Sequence, residues 1–271
     1  MRKYITVLVL LSAALVMGCA KPAASEQQEE DEGKVVRIAT YNVGVFNKYE
    51  TSSVGLVASM MKELDLDALC LNELDSCTTR TGGVFQLGAL CEAMGGWDYK
   101  WGQALNYQGG GYGIGIALNP RGGALGKWSV QLPKGDDSEV RALVGIETAD
   151  FVVCTTHLGL TTQARTAQMN AICEEVSSRY PSCSKPVFLC GDFNCVPTSD
   201  EMTSFCKTWE RISSTGATYS TQDPKKCIDY ILRLRTSGSA SVVLTKVCYS
   251  FESGSPKDAS DHYPVYIEVK L

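Results

Sequence analysis

The sequence predicts an α+β fold, a four-layer α/β/β/α sandwich in which two mixed β-sheets pack face to face and helices cover their outer faces. Three observations lead to this prediction. Apolar runs of strand length alternate with stretches of helical periodicity in the first half of the chain. Strand-like runs dominate the second half. With 44% hydrophobic residues among 271, the chain can bury the core that two packed sheets require.

The first predicted elements are two pairs of a strand and a helix. Residues 34–42 alternate apolar and polar side chains, as a half-buried strand does. Ser52 stands where it can cap a helix whose apolar residues recur at helical spacing. A buried strand over residues 68–71 follows, and then a helix over residues 85–94.

The rest of the chain is predicted to consist mainly of strands. One long helix, over residues 161–180, carries a stripe of alanine, isoleucine and valine. No linker-like stretch divides residues 35–271, so we predict one domain there. The predicted strands cover residues 113–119, 141–148, 151–156, 186–190, 228–234, 241–249 and 263–269.

The N-terminal segment has the composition of an export signal. Basic residues precede an apolar run over residues 5–17 that is too short to span a bilayer comfortably. The run ends in a pattern that resembles the lipobox of bacterial lipoproteins, with Cys19 as the residue that becomes lipidated. We therefore predict a lipoprotein signal peptide over residues 1–18, and a lipidated Cys19 with an acidic flexible tether over residues 19–34. Plain secretion is the alternative.

The N-terminal segment predicts where the protein resides, and the net charge predicts which class of substrate is disfavoured. A lipid on Cys19 would attach it to a membrane of the bacterial cell envelope, at the outer membrane or the cell surface and outside the cytoplasm. The formal net charge of the chain is -5, which disfavours broad electrostatic capture of nucleic acid.

Chemically capable side chains follow the predicted strands, at the position where sheet proteins place their sites. The sequence contains two histidines, and both belong to this group. Its oxygen-rich members suit a hard cation such as Mg²⁺, and zinc is the weaker candidate because the chain has no Cys and His cluster. The group consists of Asn42, Glu73, His157, Asp192, Asn194, Asp261 and His262.

Eight short blocks match a known family in the same order along the chain. They are Thr40-Tyr41-Asn42, Asn72-Glu73, Gly111-Tyr112-Gly113, Glu139-Val140-Arg141, Thr156-His157-Leu158, Gly191-Asp192-Phe193-Asn194, Ile228-Asp229-Tyr230 and Ser260-Asp261-His262. Through them residues 35–271 resemble the endonuclease/exonuclease/phosphatase superfamily of DNase I-like, metal-dependent phosphohydrolases. The chain is similar, more narrowly, to a bacterial branch of metal-dependent hydrolases. Asn72 departs from the pattern, which usually has Gln before the metal-binding Glu.

The resemblance implies which residues hold the metal and activate water. Glu73 would be the main Mg²⁺ ligand, with Asn42 beside it and Asp261 helping to hold the ion. Mn²⁺ could substitute for Mg²⁺. Asp192 would position and deprotonate the attacking water, and Asn194 would orient that water and the phosphate.

The resemblance also implies which residues contact the phosphoryl group. His262 would contact it as an imidazolium, with Asp229 hydrogen-bonded behind the ring. His157 would be the second imidazole of the site, and the acid and base roles of the two histidines stay open. Tyr112 and Arg141 would bind the phosphate of the substrate.

The sequence thus predicts a Mg²⁺-dependent hydrolase of phosphoester bonds at the cell envelope, with phosphodiesters favoured. Lipid headgroups and small phosphorylated metabolites are the favoured substrates, and no protein partner is inferred. Two alternatives stay open. One is an extracellular or periplasmic endonuclease that acts on DNA or RNA, and the other is a catalytically silent, surface-binding lipoprotein.

Overall fold

Two six-stranded sheets form the centre of the computed structural model, which describes residues 33–271. Gly33–Leu271 form one compact unit. The predicted signal peptide, Cys19 and most of the predicted tether lie outside the described residues and stay predictions. Within the described residues, no helix combines the length and the apolar character that crossing a membrane requires.

Strands and helices are numbered in chain order. The strands are β1 Val35–Asn42, β2 Ala68–Ser76, β3 Asp98–Tyr107, β4 Gly110–Leu118, β5 Gly126–Leu132, β6 Arg141–Glu147, β7 Val152–His157, β8 Val187–Asp192, β9 Trp209–Arg211, β10 Asp229–Leu234, β11 Ser241–Val247 and β12 Val265–Lys270. The helices are α1 Val54–Lys62, α2 Gln86–Ala93, α3 Thr162–Arg179, α4 Asp200–Phe205 and α5 Pro256–Ala259. One sheet has the order β11-β12-β1-β2-β4-β3 and the other the order β5-β6-β7-β8-β10-β9. Both sheets are mixed, with parallel and antiparallel neighbours.

The two sheets share one core, and helices cover their opposite faces. Successive residues of a strand point to opposite faces of its sheet. In β1, Ile38 belongs to the core between the sheets, whereas Tyr41 belongs to the outer core formed with α1 and α2. In β8, Phe188 enters the shared core and Leu189 packs in the outer core formed with α3 and α4. Because both faces of these strands are buried, their sequences are continuous apolar runs.

The predicted fold class is confirmed, and so are the long predicted elements. Thr161 is the N-cap of α3, where its side chain accepts a hydrogen bond from the backbone N–H of Ala164. The predicted cap of α1 is wrong by one residue. Ser53 rather than Ser52 precedes the helix, and its hydroxyl donates to the carbonyl oxygen of Ala259 instead of accepting from the first turn.

The sequence-based prediction omits β3, β5 and β9, which are edge strands of the two sheets. In β5, Trp128, Val130 and Leu132 alternate with polar residues, so the signal of a strand was present in the sequence. In β3 the alternation is broken, because its pairing with β4 shifts register between Gln103 and Leu105. Short or irregular edge strands are exposed on one side and therefore carry weaker apolar patterns than central strands.

The register of the strands gathers their polar ends at one edge of the sandwich. Asn42 pairs with Asn72 between the parallel strands β1 and β2. His157 pairs with Asp192 between the parallel strands β7 and β8, and Asp192 pairs with Asp229 across β8 and β10. A side-chain hydrogen bond from Asn42 to Asp192 joins the two sheets there.

We expect Gly191→Ala to destabilise the fold at this edge. Gly191 has a φ of +139°, and a Cβ atom there would lie 1.9 Å from the carbonyl oxygen of Thr156 on the neighbouring strand. Urea denaturation of the purified variant should show a loss of about 1–3 kcal/mol, or more, in the free energy of unfolding.

Gly55→Ala is the matched control. Gly55 lies in α1, and nothing lies within 4 Å of the position that its Cβ would take. The variant should gain about 0.5–1 kcal/mol because alanine favours the helix. If both variants lost the same stability, backbone strain and crowding at Gly191 would not explain its conformation.

Candidate active site

A cavity of about 630 Å³ opens where the polar strand ends meet. Asn42 and Asp229 lie behind its wall, hydrogen-bonded to Asp192 and His262 respectively. The structure thus brings together every predicted site residue of the described range, and Cys19 lies outside that range. The predicted residues that line the cavity are Glu73, Tyr112, Arg141, His157, Asp192, Asn194, Asp261 and His262.

One carboxylate oxygen, Oδ2 of Asp192, lies at the centre of the site. Nε2 of His157 and Nε2 of His262 each lie 3.6 Å from it. The side-chain amide of Asn42 donates to the same oxygen at 3.1 Å, and the backbone N–H of Asn194 donates to Oδ1 at 2.9 Å. Burial, followed by the neighbouring carboxylate of Asp229, raises the pKa of Asp192 above its usual range.

Asn72 fixes the position of Asp192 from the opposite sheet. Its side-chain oxygen accepts from the backbone N–H of Asp192 at 2.9 Å, and its side-chain nitrogen donates to the carbonyl oxygen of Thr156, also at 2.9 Å. In the sequence Asn72 is notable only as a departure from the family pattern. The structure shows what the residue does there: its one buried amide satisfies backbone groups of two strands in the facing sheet.

His262 carries a positive charge in this environment. Its Nδ1 donates to Oδ2 of Asp229 at 2.9 Å, and both side chains are buried. Burial alone lowers the pKa of His262, but Asp229 and then Asp192 outweigh it and raise the pKa to about 10. The ring is therefore an imidazolium at neutral pH.

His157, in contrast, is neutral in this environment. Burial, followed by the positive charges of Arg141 and His262, lowers the pKa of His157 well below its usual range. Nη1 of Arg141 lies 3.3 Å from Nδ1 of the ring. Nδ2 of Asn194 lies 3.1 Å from Nε2, so each ring nitrogen faces a side-chain donor, and Nε2 also lies 3.6 Å from Oδ2 of Asp192.

Glu73 projects into the cavity from a strained backbone position. Its φ is +56°, and it lies where the pairing of β2 with β4 shifts register between Leu71 and Leu74. The side-chain amide of Asn42 donates to Oε1 of Glu73 at 2.9 Å. Such a bulge redirects one side chain away from the regular alternation of the strand, here into the cavity.

Lys48 is a further residue of the cavity, and the sequence did not predict it. Its Nζ lies 2.6 Å from Oδ2 of Asp261, and it lines the cavity together with Glu73. Burial lowers the pKa of Lys48, but the hydrogen bond to Asp261 and the nearby charges outweigh it and raise the pKa. No local pattern around Lys48 indicates this contact, because its partner lies near the other end of the chain.

The donor set fits a hard divalent cation. Glu73 and Asp261 present carboxylate oxygens to one cavity, and no hydrogen bond within the described residues reaches Oε2 of Glu73. Asn42 contributes differently, because its amide nitrogen bridges Glu73 and Asp192 while its oxygen accepts from the backbone N–H of Gly44. Within the described residues, Asp192, Asp229 and His262 also offer ligand atoms within 4.8 Å of one another.

Arg141 and Tyr112 offer donors on one wall of the cavity. Arg141 is buried, with Nη1 at 3.2 Å from Oε2 of Glu139, and its Nε has no hydrogen-bond partner within the described residues. A buried donor without a partner is costly, so Arg141 is suited to receive an anionic ligand. Burial and the charge of Glu73 raise the pKa of Tyr112, so its hydroxyl stays protonated.

A sequence model of the Endonuclease/Exonuclease/phosphatase family matches residues 39–262, which include the strands and the site described above. The chain belongs to this family. Endonuclease/exonuclease/phosphatase family members are hydrolases that act on phosphoesters, and they generally depend on a divalent metal. Among curated proteins, none matches the chain in sequence.

Solved structures of endonuclease/exonuclease/phosphatase proteins share the fold. A family member from Bacteroides vulgatus has a TM-score of 0.71 and 18% identity, and the match covers 88% of this chain and 99% of that chain. A protein named mannosyl-6-phosphatase from Bacteroides thetaiotaomicron has a TM-score of 0.70 and 19% identity, with 87% of this chain and 100% of that chain covered. These similarities confirm the DNase I-like architecture.

We expect the two histidines to titrate on opposite sides of the usual range. The protein contains only His157 and His262, so ¹⁵N-histidine labelling gives two resolvable rings. In the metal-free protein between about pH 7 and 9, NMR should show one neutral ring and one doubly protonated ring. Replacement of Asp229 by Asn should lower the pKa of His262, because it removes the carboxylate that raises this pKa most. Two rings that both titrate near pH 6.5 would contradict the charge assignment.

Proposed function

We propose that this protein is a Mg²⁺-dependent phosphoester hydrolase of the bacterial cell envelope, anchored through a lipid on Cys19. One observation carries the chemistry. A neutral His157 and a charged His262 both direct Nε2 at a single oxygen of Asp192. A buried carboxylate beside a neutral imidazole and a positive charge is suited to activate water beside a phosphoryl group.

Asp192 is the general base of the proposed reaction. Its raised pKa makes it a stronger base than an exposed aspartate, and brings its protonation closer to neutral pH. It takes a proton from the attacking water. Asn194 orients that water and the phosphate, and its side chain is itself held by a 2.9 Å hydrogen bond to the carbonyl oxygen of Leu158.

The remaining side chains stabilise the charge that develops on the phosphoryl oxygens. His262 supplies a positive charge that Asp229 keeps in place, and His157 supplies a neutral imidazole held between Arg141 and Asn194. Arg141 supplies its unpartnered Nε donor. Glu73 and Asp261 would hold Mg²⁺, which when bound supplies positive charge to the phosphoryl group and to the leaving oxygen.

The favoured substrate is a small phosphoester, from either a lipid headgroup or a free metabolite. The net charge of -5 offers no broad attraction for a nucleic acid backbone. Acidic and basic side chains both line the cavity, which suits one phosphoryl group better than a polyanion. One structural neighbour is named as a mannosyl-6-phosphatase, so monoesters belong in the test beside the diesters that the sequence favours.

Asp192→Ala and His262→Ala are each expected to reduce kcat by a factor of about 100 or more, because each removes a group that stabilises the transition state. The measurement is hydrolysis of p-nitrophenyl phosphate and bis(p-nitrophenyl) phosphate at saturating Mg²⁺, with circular dichroism as the check on folding. Asp98→Ala is the control, since Asp98 lies at the start of β3 and outside the cavity. Wild-type rates in either site variant would contradict the proposed roles.

Glu73→Gln is expected to weaken Mg²⁺ binding by a factor on the order of 10 or more, because it removes a charged oxygen ligand. Calorimetric titration with Mg²⁺ alone measures this without reference to turnover. Glu174→Gln, at an exposed position of α3, should bind as the wild type does. Unchanged affinity in Glu73→Gln would show that the ion binds elsewhere.

Nicking of supercoiled plasmid tests the nuclease alternative. We expect no Mg²⁺-dependent nicking by the folded protein, because its acidic balance disfavours capture of DNA. Nicking by the wild type that disappears in Asp192→Ala would instead identify an envelope nuclease. Turnover of neither plasmid nor any small phosphoester would favour the surface-binding lipoprotein.

A further inference from the structure

A second, smaller pocket of about 130 Å³ adjoins the catalytic cavity. Glu73, Tyr112 and Glu139 line both spaces, so the two spaces meet at these residues. We call the smaller space the side pocket. Its lining residues are Glu73, Arg80, Leu105, Tyr107, Tyr112 and Glu139.

The side pocket has a fixed shape. Nε and Nη2 of Arg80 donate to the two oxygens of Asp75 at 2.7 and 2.8 Å, and the side chain of Asp75 is completely buried. The ring centroid of Tyr107 lies 4.5 Å from the guanidinium carbon. The backbone N–H of Thr79 donates to the carbonyl oxygen of Gln108 at 3.0 Å, which ties the tip of the β3–β4 hairpin to this wall. A preformed pocket needs little ordering when a ligand enters.

The charges of the side pocket disfavour a second phosphate. Asp75 compensates Arg80 through two hydrogen bonds, and Arg141 lies 3.2 Å from Glu139. Glu73 adds a further carboxylate, so the wall offers no uncompensated positive charge. A charged group that enters this space would lose its hydration without gaining a charged partner. The same loss costs much less for a neutral hydroxyl group.

The hydrogen-bonding groups of the side pocket match hydroxyl groups. Nη1 of Arg80 is a donor without a partner in the described chain, Glu139 is an acceptor, and the Tyr112 hydroxyl is both. Leu105 and Tyr107 add an apolar surface, and Tyr107 is 37% exposed. Together, these donors, acceptors and apolar surface suit a saturated ring that carries hydroxyls at its edge.

We propose that the side pocket binds a neutral, polyhydroxylated ring, a hexose or a cyclitol, that is esterified to the phosphoryl group in the catalytic cavity. This inference rests on the proposed phosphoester hydrolysis and names its substrate class. The volume of about 130 Å³ matches a single six-membered ring more closely than an acyl chain or a polynucleotide segment. The ring can belong to a free sugar phosphate or to a lipid headgroup.

Substrate comparison tests the recognition of hydroxyls. Glucose 6-phosphate and cyclohexylmethyl phosphate have the same ring size, but the second lacks hydroxyls. The purified protein with Mg²⁺ should show a kcat/KM at least about tenfold higher for glucose 6-phosphate, because a site built for hydroxyls rejects the analogue without them. Hydrolysis of both compounds with equal kcat/KM, or a preference for adenosine monophosphate, would overturn the proposal.

Tyr107→Ala tests the location of the ring. It should lower the ratio of kcat/KM for glucose 6-phosphate to that for ethyl phosphate by about tenfold, mainly through KM, whereas Tyr107→Phe should retain the ratio. Tyr99→Ala is the matched control, because Tyr99 lies in the same strand, is 39% exposed and lines neither pocket. An unchanged ratio in folded Tyr107→Ala would overturn the placement.

Vesicles distinguish the two sources of the ring. Cleavage of phosphatidylinositol in phosphatidylcholine vesicles, with no turnover of glucose 6-phosphate, would assign the ring to a lipid headgroup, and the reverse would assign it to a free sugar phosphate. Calorimetry with glucose 6-phosphate and with inositol phosphate supplies a readout that does not need turnover. If Tyr107→Ala weakens the binding of either compound, the side pocket is supported even when neither compound is hydrolysed. If neither compound is bound or cleaved, and phosphatidylinositol is not cleaved, the proposal is overturned.

Discussion

The site depends on one buried amide. The side chain of Asn72 crosses from the first sheet to satisfy a backbone carbonyl and a backbone N–H of the second sheet, at Thr156 and Asp192. Packing between two sheets is largely non-directional and tolerates small shifts, whereas a hydrogen bond fixes distance and angle. Because Glu73 is the next residue along the chain, the same amide constrains the distance between the carboxylate that we propose as a metal ligand and the proposed base.

Around this fixed point, the protein holds two imidazoles in different charge states within one small volume. The difference does not come from exposure, since both rings are buried. It comes from their partners, a carboxylate behind His262 and a guanidinium beside His157. Low polarity in the interior strengthens both interactions, so two residues of one type can be a cation and a neutral ring at the same pH.

The sequence predicts the layers, and it predicts residues that the structure gathers at one cavity, because both leave local signals. Runs such as residues 68–71 are apolar since both faces of the strand are buried, and the site residues stand directly after such runs. Contacts between distant parts of the chain leave no such signal. The sequence does not reveal that Lys48 meets Asp261, that Asn72 joins the sheets, or that Tyr107 and Arg80 form a side pocket, because each depends on register and packing in three dimensions.

The backbone of Glu73 shows where this protein departs from maximal stability. A glutamate at a φ of +56° is held there by the surrounding strands at a conformational cost that folding has already met. In the proposed function an arriving cation would find this ligand in place and would not have to reorganise the strand. Glycine or asparagine would adopt this backbone conformation at lower cost, so a glutamate here exchanges some stability for a carboxylate at the cavity.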